Sequence, residues 1–287
     1  MADSQDDFPP LVLELGGLRA ALEIHAMAIE ATVEELGDIW ASPDGTATRE
    51  EAYHDFVFYC FTRCCRTVRA ITLLLDAFMA EETYPLSRSL YEHYLALACV
   101  GRSEHFLDDF LTKPIGLYAG TLEYPTSKRG VPHRRFLVIK DTGAELPKIA
   151  SFADLARATG YKWDPALHDV IYAHLSEHAH PNMLASGDYR NSESTAYTVR
   201  GHGGLLRASF WACVCSSLAV SEVRRAVRKP ARLRRTLDSA HAASRDALTD
   251  ALSVLEVQGR YQAVPRLLMC RLAARRRRWS DDTDLAF

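Results

Sequence analysis

Apolar residues recur along most of the chain at the three-to-four-residue spacing of helices that bury one face. After Pro9-Pro10, the positions Leu11, Leu15, Leu18, Leu22, Ile29 and Val33 trace such a face as far as Leu36, and Gly37 followed by Ser42-Pro43-Asp44-Gly45 ends the segment. Thr48 is placed to cap a second helix, with Glu50 and Glu51 in the first turn where the helix dipole favours anions. That helix is predicted to run to Met79. It is apolar on several faces through Phe56, Val57, Phe61, Val68, Ile71, Leu74, Leu75 and Phe78, the pattern of a helix central to a bundle. Pro85 lies in the first turn of a third long helix, predicted to end at Leu111 ahead of Lys113-Pro114.

The helical spacing lapses between residues 114 and 150, which hold four of the twelve prolines, Pro114, Pro125, Pro132 and Pro147. Within this stretch Thr126–Arg135 is basic and turn-rich, and Phe136–Ile139 reads as one short strand with no visible partner. Ser151 then opens a short helix to Thr159, stopped by Gly160. Asp164 and Pro165 read as the N-cap and first residue of another, which reaches Ala179 and stops at Pro181. Residues 182–204 form a polar loop with four glycines, and helices are predicted over 205–228, 231–257 and 263–278, the first two divided at Lys229-Pro230. No internal repeat is present. The expected fold is all-α: a single bundle of six to eight helices with one irregular Pro-rich insertion. Its expected organisation is an N-terminal helix and linker over 1–48, a helical core over 49–228, and basic C-terminal helices over 229–287 packed on that core.

Composition narrows the class. Of 287 residues, 48% are hydrophobic and 25% charged, enough apolar surface to offset chain entropy, which excludes a disordered chain. Only 15 Gly and 12 Pro exclude a collagen-like one. No uncharged apolar run approaches the length of a bilayer span. The acidic start, Met1 to Asp7, lacks the basic region of a signal peptide, and the expected location is the cytoplasm.

The net charge of −3 conceals an asymmetry: residues 1–199 carry 17 Lys and Arg against 29 Asp and Glu, and residues 200–279 carry 17 against 5. A basic third of this kind either meets phosphate backbones, as in RNA, or packs against the acidic remainder or a second copy of the chain. Its densest run is Arg275–Arg278. The seven cysteines are odd in number and lie among aromatic residues, Cys60, Cys64 and Cys65 near Phe56, Phe58 and Phe61, and Cys213 and Cys215 near Phe210 and Trp211. They read as reduced core thiols, and no Cys-x-x-Cys pair supports a zinc or redox centre.

Two segments place polar residues where the helical pattern calls for apolar ones. In Leu86–Leu95, Arg88 and Glu92 are four apart on one helix face, surrounded by Leu90, Tyr91, Leu95, Leu97 and Ala98. In Asp169–Pro181, Tyr172, Ser176 and His180 form a stripe at four-residue spacing, which His168 extends back by one turn, and His174 and His178 pair on another face. Turned toward each other, the two segments make a buried polar centre, tolerable only if its members satisfy one another. Such a network either fixes helix register or binds something. In a functional site, His180 is the candidate general acid or base because its free pKa lies near neutrality, and Arg88 is suited to a phosphate or carboxylate. Glu92 would orient Arg88 or His180, and Tyr172 and Ser176 would donate hydrogen bonds to a developing anion.

An Arg-Ser-Leu-x-Glu helix (Arg88 to Glu92) followed by a Tyr-x-x-x-Ser-x-x-x-His helix (Tyr172 to His180) resembles a family of bacterial all-helical proteins catalogued only as a domain of unknown function. The resemblance spans roughly residues 50–225. It implies a helical fold with Arg88, Glu92, Tyr172, Ser176 and His180 as signature positions, and brings no activity with it. A second pattern, Arg88-x4-His93, is similar in spacing to the Arg-His motif of HEPN helical ribonucleases, whose Arg and His act on the scissile phosphate and 2′-hydroxyl of RNA, commonly across a homodimer. Those enzymes usually carry an amide or acid after the Arg, where this chain has Ser89, and five helical residues separate the two groups by about 140°. For metals, Glu51-x-x-His54 fits one arm of a di-iron bundle and lacks a second, while His174 and His178, with Glu177 or His180, could supply ligands from one helix.

These readings leave three functions open. The first is an anion- or phosphate-binding centre, extending to metal-independent hydrolysis of an RNA phosphodiester in a defence or toxin role. The second is a non-catalytic interaction module whose polar network only locks the fold, and the third a His-rich metal-binding hydrolase.

Overall fold

The computed structural model describes residues 9–37, 48–103, 105–127, 130–179, 204–227, 229–255 and 264–273. Among them, six long helices are α1 (Pro9–Leu36), α2 (Arg49–Asp76), α3 (Thr83–Val100), α7 (Asp164–Ala179), α8 (Leu205–Ala226) and α9 (Ala231–Val254). Four shorter ones are α4 (His105–Phe110), α5 (Thr112–Ala119), α6 (Phe152–Ala158) and α10 (Val264–Ala273). The fold is predominantly all-α, and nearly all of its buried hydrophobic residues form one core. No helix among the described residues is long and apolar enough to cross a membrane.

Local chemistry sets the boundaries. Thr48 and Glu51 form a reciprocal capping box at the start of α2: the Glu51 carboxylate accepts from the Thr48 backbone N–H at 2.6 Å, and the Thr48 hydroxyl accepts from Glu51 N–H at 3.2 Å. Ser151 and Asp154 cap α6 in the same way. The single helix expected over 85–111 is instead broken at Gly101. There Arg102 turns away to donate to the Ala158 carbonyl at 2.8 Å, so the chain spends its helix end on tying α3 to α6 before α4 begins.

The short strand at Phe136–Ile139 finds partners on both edges. It is the middle strand (β2) of an antiparallel sheet, with β1 at Leu122–Glu123 and β3 at Glu145–Pro147. Leu137, fully buried, is its inward anchor. Two- and three-residue strands are too short to show an alternating pattern in sequence.

The helix at the centre of the bundle is α8 rather than α2. It packs on α1, α2, α3, α9 and α10, and buries 17 of its 22 residues, Phe210, Trp211 and Leu218 among them. The apolar run of α2 instead leaves Leu73 and Tyr59 exposed, at 69% and 55%. Six of the seven cysteines are buried, all are free, and burial raises the thiols of Cys64 and Cys213 to about 12, consistent with small core hydrophobes.

Candidate functional site

Helix α3 carries Tyr84, Ser87, Arg88, Tyr91 and Tyr94 at three- and four-residue spacing, and α7 carries Asp164, His168, Tyr172 and Ser176 four apart. The two helices run antiparallel and meet in rungs. Tyr94 donates to Asp164, Tyr91 stacks on His168 at 5.8 Å, Arg88 meets Tyr172, and Tyr84 packs on His178 at 4.1 Å. Residues 84 positions apart thus share one seam, as the polar patterns of both segments predict.

At its centre Arg88 Nε donates to Glu92 Oε1 at 3.0 Å and Nη2 donates to Tyr172 Oη at 2.5 Å, with the guanidinium carbon 4.5 Å from the Tyr172 ring centroid. A guanidinium has five N–H donors. Two are used here, and the other three have no partner among the described residues. The pair is half-buried, with side-chain exposures of 24% and 25% for Arg88 and Glu92.

Around it, Ser87 Oγ, Tyr91 Oη, His168 Nδ1 and Ser176 Oγ are buried with no hydrogen-bond partner among the described residues. The His168 ring lies between Tyr91 and Tyr172, 4.9 Å from the latter, and burial holds its pKa below the usual range, with Asp169 opposing and Arg157 adding a smaller push. Arg88, Glu92 and Tyr172 are therefore brought together. Ser176 joins the stripe without a hydrogen bond to them, and His180 lies outside the described residues, as do the Arg275–Arg278 run and the loop over 182–203.

The other sequence candidates part company. His93, five residues from Arg88, bonds back to the Ser89 carbonyl at 2.7 Å and faces Tyr59 of α2 at 6.2 Å, so the two groups of the Arg-x4-His pattern face different helices. Glu51, the proposed di-iron arm, is committed to the capping box of α2. His174 and His178 sit 4.7 Å apart and pack on Tyr84, and His174 also meets Trp211. No group of three His, Cys, Asp or Glu that could hold a metal occurs among the described residues.

About two turns along the same seam lies a second polar cluster that the sequence reading missed. Arg271 of α10, 1% exposed, donates through Nε to Asp164 at 2.9 Å and through Nη2 to Glu222 of α8 at 3.0 Å and to Tyr94 Oη at 2.9 Å. Its guanidinium lies 3.3 Å from the ring centroid of Tyr161, whose hydroxyl donates to the same Glu222 oxygen at 2.8 Å. Burial alone would lower the Arg271 pKa, and the combined pull of Tyr94, Asp164 and Glu222 more than offsets it, so the group stays charged. Arg225, 3.9 Å from Glu222 and stacked on Tyr161, brings the cage to two cations against two anions.

Asp164 had read as a helix cap; its carboxylate serves Tyr94 and Arg271 instead. The signal available in sequence was an arginine set between Leu267, Leu268 and Leu272, and an acid, Glu222, within the apolar run of α8. Neither a curated protein nor a solved structure matches the chain. A family match falls on the segment carrying both halves of the seam: the model of a family of unknown function, DUF5677, covers residues 54–197, and the chain belongs to that family.

Proposed function

We propose that the α3/α7 seam is a binding centre for a phosphate-bearing anion, with Arg88 as its receptor. The observation that carries this is the state of the Arg88 guanidinium: anchored on one edge by Glu92 and Tyr172, half-buried, and with three donors that have no partner among the described residues. A guanidinium fixed in this way is pre-organised for the oxygens of a phosphate, because little rotamer freedom is left to lose on binding. Tyr172 holds the fork in place, and the buried Ser176 hydroxyl, one turn along, supplies a further donor. Neutral His168 behind Tyr172 keeps the wall of the centre uncharged.

RNA is the phosphodiester we infer for any hydrolysis at this centre, with His180 exchanging the proton and no metal taking part. The competing reading, a network that only ties α3 to α7, is favoured by the Arg88–Glu92 pair being internally neutral.

Titration calorimetry with inorganic phosphate and with a short single-stranded RNA separates the two. Arg88→Met should weaken binding by tenfold or more, since each hydrogen bond to a charged group is worth about 1.5–3 kcal/mol. Tyr172→Phe should weaken it less, and Arg234→Met, an exposed arginine on α9, should leave it unchanged. Absence of binding in the wild-type chain, or equal affinity in Arg88→Met, would leave the structural reading. RNA cleavage lost in a folded His180→Ala variant, with binding intact, would establish the hydrolytic extension.

A further inference from the structure

We propose that Arg271 is a positioning residue for the Arg88 centre, and that α10 is the latch that fixes α7 in register against α3. The inference rests on the reading of that centre as an anion site. It starts from the cage itself. The guanidinium of α10 is bonded to Asp164, the first residue of α7, and to Tyr94 of α3, so it bridges the two helices that also carry the rung of Arg88 on Tyr172.

The cage and the Arg88 centre are continuous. Tyr94 packs on Tyr91 at 5.7 Å, Tyr91 on His168 at 5.8 Å, His168 on Tyr172 at 4.9 Å, and Tyr172 carries Arg88. Along α7, Asp164 and Tyr172 are eight residues apart, about 12 Å of helix. A one-turn slip of α7 would move every rung by about 5.4 Å and take Tyr172 out of reach of Arg88. The Tyr91–His168 and His168–Tyr172 ring contacts leave Tyr91 Oη and His168 Nδ1 without hydrogen bonds among the described residues, so they do not fix a register by themselves. The Arg271 fork does fix one: its donors are matched to Asp164, Glu222 and Tyr94 at once, on three different helices.

The consequence is that a residue outside the matched segment, farther along the same seam, governs affinity at Arg88 without touching the ligand. The test uses the full chain and reads register and binding separately. Register is read from the coupling between Arg88→Met and Tyr172→Phe in a double-mutant cycle on urea midpoints. Binding is read from calorimetry with inorganic phosphate.

In the wild-type background the two substitutions should be non-additive. In Arg271→Met the coupling should vanish and the phosphate dissociation constant should rise at least tenfold. Millimolar methylguanidinium, too dilute to denature, should restore both by refilling the cage, and should do neither in the wild-type chain. If Arg271→Met does not fold, Asp164→Asn, which keeps the Arg271–Glu222 bond, carries the same expectations for coupling and affinity, with no rescue by methylguanidinium because Arg271 still fills the cage. Coupling that persists unchanged in a folded cage variant overturns the proposal, as does methylguanidinium that fails to restore it in Arg271→Met. Coupling lost as expected in a chain whose wild type binds no phosphate would uphold the latch and sink only the anion site.

Discussion

His25 is an imidazole without access to solvent. It lies on α1, shares a 2.8 Å hydrogen bond with Ser216 of α8, and burial drives its pKa down to about 3, with the Ala240 backbone opposing and His241 adding a smaller push in the same direction. Its folded pKa is below the unfolded value of about 6.5, so the unfolded chain binds a proton that the native state refuses between these limits. The stability it contributes is complete above pH 6.5 and is lost as pH falls toward 3, at up to about 1.4 kcal/mol per pH unit. Burial also depresses His93, His168 and His241, which adds in the same direction. His25→Gln should therefore flatten the decline of the urea midpoint between pH 6.5 and 4.5 without abolishing it. An identical slope in the variant would show that His25 is not neutral in the native state.

Legibility at this scale followed the local contrast of each residue with its neighbours. Arg88 and Glu92 stood out because two charges four apart on an apolar face cannot both avoid burial. Arg271 did not, because it lies in a stretch whose other arginines suggested a solvated surface. Part of that basic third is in fact neutralised by the acidic remainder: Arg232 meets Glu35 at 2.5 Å, and Arg271 meets Asp164.

At the scale of elements, caps and breaks carry the fold as much as periodicity does. Gly160 closes α6 at φ +81°, in the left-handed region, and a Cβ there would lie 2.9 Å from Arg102 Nη1, the group that ties α3 to α6. Gly160→Ala should cost about 1–2 kcal/mol for the left-handed backbone, with a further loss if Arg102 is displaced, read as a lowered urea midpoint. A midpoint equal to wild type would mean that the turn relaxes freely. The long amphipathic helices and their caps were legible because each is decided within a few residues. The α3–α4 break was not, since Gly101 ends the helix in favour of a bond to a carbonyl 56 residues away. Nor was the central place of α8, since α2 carries an apolar run of equal strength. What separates them is that α8 uses Ala, Ser and Cys where neighbours approach, with Ser216 and Ser217 returning their hydroxyls to the Cys213 carbonyl. The same rule of satisfying a hydroxyl locally lets a polar residue hide in a core helix.

At the scale of the molecule, the family match and the folding unit do not coincide. Residues 54–197 hold the α3/α7 seam, yet α8, which fills the middle of the core, and Arg271, which neutralises Asp164 of the seam, both lie beyond them. Cut free, that segment would expose the faces of α2 and α3 that pack on α8, among them apolar side chains worth about 1.5–3 kcal/mol each when buried. It would also leave Asp164 without its cation, a loss of about 3–5 kcal/mol for a buried pair. Together the two terms rival the whole stability of a domain, about 5–15 kcal/mol. A fragment of residues 54–197 should therefore show helical signal without a cooperative thermal transition, whereas residues 9–273 should melt cooperatively. A cooperative melt in the shorter fragment would mean that the family segment closes its own core, and that α8 and the Arg271 cage are additions to a self-sufficient unit.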